Sequence, residues 1–112
     1  MTNLDRLKLE LSNKEYYTDE EYKVFLDENS LVPDNTYVKA DNQIQLLETV
    51  VSVLETLSND VDIMRKIDNK DIVSVDQASK YLSQRIYNIN KKILDLKEER
   101  NDNGNISFLF YN

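Results

Sequence analysis

The side chains that could do chemistry in this sequence are almost all carboxylates. Asp and Glu number 21 against 14 Lys and Arg, and there is neither Cys nor His. Thiolate and imidazole chemistry are thereby excluded, as are zinc sites of the usual kind. Asp60-Val61-Asp62 begins like a calcium loop, but Met64 stands where an oxygen ligand belongs and the loop glycine is missing. A carboxylate pair for glycoside-type hydrolysis needs a cleft, and a chain of 112 residues leaves little room for one. No glycine-rich phosphate loop occurs, since Gly104 is the single glycine. Asn105-Ile106-Ser107 fits the glycosylation sequon, but without a secretory signal it reads as a chance match. The residues predict no enzyme, no cofactor and no metal.

Charge and composition point instead to partners. The formal net charge of −7 would repel a polyphosphate, so a reader of nucleic-acid sequence is disfavoured. The same repulsion lets an acidic wall pass DNA without holding it. The start MTNLDRLKLEL lacks an apolar signal core, and no apolar run approaches ~18 residues, so neither a signal peptide nor a membrane span is expected. The absence of Cys fits an intracellular or virion protein. One Gly and one Pro argue for helices joined by few tight turns.

The elements follow from periodicity and capping signals. Residues 44–57, IQLLETVVSVLETL, read as one continuous helix running from about Asp41 to Ser58. Ile44, Leu46, Leu47, Val50, Val51, Val53, Leu54 and Leu57 cover an arc of about 180°, wide enough to meet different neighbours on two flanks. Gln45, Glu48, Thr49, Ser52, Glu55 and Thr56 fill the polar remainder. Leu4, Leu7 and Leu11 mark a short helix over 3–13. Thr18-Asp19-Glu20-Glu21 is a capping box, and Tyr17 with Tyr22 has the spacing of a hydrophobic staple. That helix runs to about Glu28 and buries Tyr22, Phe25 and Leu26. Pro33-Asp34-Asn35 is a turn, with Leu31, Val32 and Val38 expected to pack on the core. Residues 61–73 are poorly patterned: Ile63, Met64 and Ile67 suit a short helix, and 68–71 an exposed loop. Ser74-Val75-Asp76-Gln77 is a second capping box, with a staple between Val73 and Ala78. It opens a helix from 75 to about 100 whose stripe of Val75, Ala78, Leu82, Ile86, Ile89, Ile93 and Leu96 is about 80° wide. Residues 101–105 should break it.

The expected architecture is all-α: a bundle of about four helices around a central one over 1–100, with an extended C-terminal arm over 101–112. The arm's Ile106, Ser107, Phe108, Leu109, Phe110 and Tyr111 either fold back on their own domain or join another protein's sheet. The second is favoured, because a lone strand in a helical domain finds no sheet edge for its backbone groups. Tyr87 and Leu94 lie opposite the last helix's apolar stripe, as ordinary exposed residues or as a subunit contact. From Ala40 to Met64 there are five carboxylates and no basic residue, whereas 80–100 holds six basic and three acidic. Such a split is either plain solvated surface or a means of steering copies together head to tail.

Three stretches, LDRLKLELSNKEYYTDEEYKVFLDENSL (4–31), LLETVVSVLETLSNDVDIMRKI (46–67) and SVDQASKYLSQRIYNINKKI (74–93), resemble in order the small helical head–tail connector (adaptor) proteins of tailed bacteriophages. The shared pattern is a Leu/Lys-rich start, an aromatic–Thr-Asp-Glu-Glu-Tyr helix, a Leu-rich central helix ending Ser-Asn-Asp, and a long last helix with Tyr-Leu and Gln-Arg-Ile. The resemblance implies a virion protein of the neck, made in the host cytoplasm. It would form a ring, commonly of twelve copies, below the portal protein and extend the DNA channel. A next tail-proximal connector or stopper protein would dock on it, and residues 106–111 would dock on the portal. A small regulatory or chaperone-like partner, monomeric or dimeric, is the alternative from another class. An enzyme subunit stands third.

Overall fold

The computed structural model describes residues 1–60 and 75–104. Among these, the fold is all-helical: α1 (Asn3–Glu10), α2 (Asp19–Glu28), α3 (Lys39–Ser58) and α4 (Val75–Gly104). It is the expected small bundle, with α3 at its centre. The expectations for 61–74, including the short helix, the loop, the rest of the calcium-like stretch and the Ser74 cap, lie outside the described residues. So does the segment 105–112.

Hydrogen-bonded ends define the first two helices. At Thr18, the hydroxyl accepts the Glu21 N–H at 3.2 Å and the Glu21 carboxylate accepts the Thr18 N–H at 2.9 Å, closing the box read from the sequence. Tyr17 and Tyr22 meet edge to face at 6.1 Å, so the staple is there too. A second box, not foreseen, opens α1: Thr2 accepts from Asp5 N–H, and Asp5 accepts from Thr2 N–H. The signal was Thr2-x-x-Asp5, with the shorter acid in the place usually held by Glu or Gln.

Both helices end alike. Leu31 N–H reaches the Leu26 carbonyl and Ser30 N–H the Asp27 carbonyl, with Ser30 at φ 65°. Asn13 N–H reaches Lys8 and Ser12 N–H reaches Leu9, with Ser12 at φ 60° and Asn13 at φ 57°. These are Schellman closures in which serine holds the left-handed position that glycine usually takes. They stop α1 at Glu10, three residues short of the expected end at 13.

α3 starts at Lys39, two residues before the expected Asp41, and its N-cap Val38 provides no side-chain cap. Its two flanks meet different neighbours, as its wide apolar arc requires. One flank, with Leu46, Val50, Val53, Leu54 and Leu57, packs on Leu7 of α1 and its C-cap Leu11, Tyr22 and Leu26 of α2, and Ala78 and Leu82 of α4. The other, with Ile44, Leu47 and Val51, closes on Ile93. Each fully buried Leu or Val contributes about 1.5–3 kcal/mol. The apolar area on these flanks is what holds the bundle together.

Three expectations are corrected. Thr49, assigned to the polar arc, is fully buried. Its hydroxyl donates to the Gln45 carbonyl at 2.7 Å, so the side chain satisfies itself within its own helix and presents a methyl to the core. Val32 and Val38 are 55% and 45% exposed rather than packed down, and only Leu31 of the three is buried. The reason is that main-chain bonds hold their loop to the start of α1: Asn3 N–H to Asn35 O, Leu4 N–H to Pro33 O, and Tyr37 N–H to Met1 O. Two of these satisfy first-turn N–H groups that a helix leaves open. Finally, α4 continues to Gly104 rather than breaking at 101. Asn, Asp and Gly each cost a helix only about 0.7–1 kcal/mol and none clashes as proline does, so polar composition alone does not end the turn.

Candidate functional site

α4 carries the candidate surface. Its inner stripe follows the sequence reading: Ala78, Leu82 and Ile93 are buried, and Ile86, Ile89 and Leu96 are partly buried against α3. With that stripe turned inward, the opposite side faces water. Tyr87 is 64% exposed and Leu94 61%. Seven residues apart, they lie on one line of the helix about 10 Å from each other along its axis. Lys80 and Lys91 fall on the same outer face and are exposed. Leu94 also edges a shallow cleft whose other walls include Val51, Ser52 and Asn90.

Polar bonds fix how α4 lies. The Arg85 guanidinium donates to the Glu10 carbonyl at 2.6 Å, placing a cation at the negative end of α1. It also reaches the Tyr81 hydroxyl at 3.5 Å. Further on, Lys97 pairs with Glu48 at 3.5 Å, and Arg100 donates to the Ala40 carbonyl at 3.3 Å. The pairings 97 with 48 and 100 with 40 run in opposite chain directions, so α3 and α4 are antiparallel. Both members of the Lys97–Glu48 pair are well exposed, and such a pair contributes under about 1 kcal/mol. Part of the charge split seen in the sequence is therefore met inside one molecule, where the acidic α3 and the basic part of α4 lie side by side.

No group of three or more carboxylates among the described residues converges as a metal cage would. Burial raises the Tyr16 and Tyr22 phenols above their ordinary value of 10.0, so neither becomes a base near neutral pH. The Tyr22 hydroxyl instead donates to the Lys14 carbonyl at 2.9 Å and ties α2 to the turn before it. No described helix is long and apolar enough to cross a membrane. Of the residues singled out in the sequence, Tyr87 and Leu94 share one exposed face, while Ile106, Ser107, Phe108, Leu109, Phe110 and Tyr111 lie outside the described residues. Sequence reading overlooked Arg85. Its signal was a lone basic residue flanking an apolar stripe, which says nothing of a carbonyl 75 positions away.

No protein-family model, curated protein or solved structure matches the chain. Fold and surface define a class: among the described residues, a small all-α bundle whose helix α4 presents an exposed outer face.

Proposed function

We propose that the protein is a head–tail connector of a tailed bacteriophage. In this reading, copies form a ring below the portal protein that extends the DNA channel toward the tail and receives a tail-proximal connector or stopper. The observation that carries the proposal is the ordered likeness of residues 4–31, 46–67 and 74–93 to the helical adaptor proteins. Three physical features support it. The formal charge of −7 suits a channel wall that lets DNA slide. The exposed Tyr87 and Leu94 give α4 an apolar line available to a neighbouring subunit. The apolar run at 106–111 suits addition to a sheet edge of the portal. The virion neck would be its site of action, after synthesis in the host cytoplasm.

Cosedimentation with purified portal rings of the same phage tests this. Full-length protein should pellet with the rings, and a chain lacking 105–112 should stay in the supernatant with its helix content and melting unchanged. If neither chain binds, the connector reading fails, and a helical partner of some other single target takes its place.

A further inference from the structure

The outward faces of α2 and α4 are complementary in charge, and each carries an apolar residue at its middle. On α2, Glu20, Val24, Asp27 and Glu28 share the side turned from the core, and Val24 is 56% exposed at its centre. The helix as a whole has five carboxylates and one lysine, and Lys23 is already bonded to Glu20 at 3.3 Å. On α4, the outer face between Lys80 and Leu94 carries Lys80 and Lys91 and no carboxylate. Arg85 turns inward to the Glu10 carbonyl, and Asp76 and Glu98 lie beyond the two ends of that stretch. Lys80 and Lys91 flank Tyr87 on the outer face, with Leu94 one heptad further. No Cα of α2 comes within 8 Å of one in α4, and both helices pack on α3. The two faces are thus separate surfaces of the molecule and do not satisfy each other within it.

We infer that the outer face of α2 in one copy docks on the Tyr87 face of α4 in a second copy, head to tail. Placing Val24 on the Tyr87 ring puts Glu20 and Glu28 about 6 Å to either side along the axis. Lys91 then lies about 6 Å and Lys80 about 10 Å from the same point, within the reach of a lysine stem. The contact has an apolar centre ringed by opposed charges, as specific interfaces do. Because donor and acceptor faces differ, each copy keeps one of each free, and association continues head to tail, into a ring where the rotation between copies closes and into a filament where it does not. The inference deepens the self-association within the connector reading. It is read without portal, so its failure and the failure of portal docking are separate results.

The chain has no cysteine, so each introduced thiol is unique. Val24→Cys and Tyr87→Cys, both at exposed positions, are mixed in equal amounts at low salt and oxidised. The disulfide-linked dimer that joins one variant to the other should form above its random share, and either variant oxidised alone should cross-link poorly. Adding Lys80→Glu and Lys91→Glu to the Tyr87→Cys chain should weaken the mixed pairing about tenfold or more. Adding Glu20→Lys and Glu28→Lys to the Val24→Cys partner should then restore it. Random pairing, dominant like-with-like dimers, or charge reversals without effect would each overturn the inference. Circular dichroism of every variant shows that the chains compared are folded.

Discussion

Residues 1–60 and α4 share one apolar core on α3, but different interactions fix their ends and their orientation. In the first region, the ends of α1 and α2 and the loop after them are closed by specific hydrogen bonds: two capping boxes, two Schellman ends, and three main-chain bonds tying the 31–38 loop to the start of α1. α4 relies on a narrow apolar stripe and three long cationic side chains, Arg85, Lys97 and Arg100, that reach back to the rest. Capping bonds fix where a helix begins and ends but contribute little apolar burial. A stripe binds a helix to a neighbour yet leaves most of its circumference in water. The difference teaches that one region defines the geometry and the other offers surface. A docking face belongs on the second, because residues such as Tyr87 can change there without touching the core.

The contrast can be broken most severely at α3, which both regions share. Leu54→Asp should abolish cooperative thermal unfolding and the helical circular-dichroism signal, since an unpaired carboxylate at a fully buried position costs several kcal/mol. Ile93→Ala acts on the α4 side only and should cost about 2–4 kcal/mol in denaturant titrations. Amide exchange should quicken in the C-terminal half of α4 before it does in α2. Thr18→Ala strikes the capped region and should cost about 1 kcal/mol. Ser30→Gly should raise stability by about 0.5–1 kcal/mol, because glycine holds φ 65° without the strain a Cβ brings. A loss of stability there would show that Ser30 does more than close the turn.

Acid sharpens the same contrast with no substitution. Bonds from the Thr18 N–H and hydroxyl hold the Glu21 carboxyl below its ordinary 4.5, and those from Thr2 hold Asp5 below its ordinary 3.8. A carboxylate with a depressed folded pKa stabilises above its unfolded pKa and loses that contribution as pH falls through the folded value. The Glu21 contribution should therefore begin to fade near pH 4.5 and be gone once pH is below its lowered folded value. Glu21→Gln should remove that part of the acid dependence in pH-resolved melts, and it should leave the Asp5 part in place.

What was legible in the sequence follows the range of each force. The Thr18 box, the Tyr17–Tyr22 staple and the two-flanked α3 were readable because each is a relation between residues within a few turns of one helix. The inward stripe of α4 was readable for the same reason, and with it the exposure of Tyr87 and Leu94. Thr49 was misjudged because residue type says polar, whereas its hydroxyl finds a partner one turn back. Val32 and Val38 were misjudged because the loop is held by main-chain bonds to residues 1–4 and by the buried Asn3 amide, which donates to the Val32 carbonyl at 2.8 Å, and no apolar pattern reveals either. The Arg85 bond to Glu10 is of the same kind, a long-range contact with a backbone oxygen. The candidate face was therefore legible in outline, through Tyr87, Leu94 and the basic stretch 80–100, and which of those charges turn inward only after the helices were placed.

The division of α3 into two flanks also has a history in time. During synthesis, α1 and α2 leave the ribosome before α3, so the flank bearing Leu46, Val50 and Leu54 finds most of its neighbours at once. Ile44, Leu47 and Val51 must wait for Ile93, about 40 residues later, which at about 5–20 residues per second is a delay of several seconds. For that interval the newborn chain shows water a row of branched aliphatic side chains. Here a holdase would find its grip until α4 closes the flank.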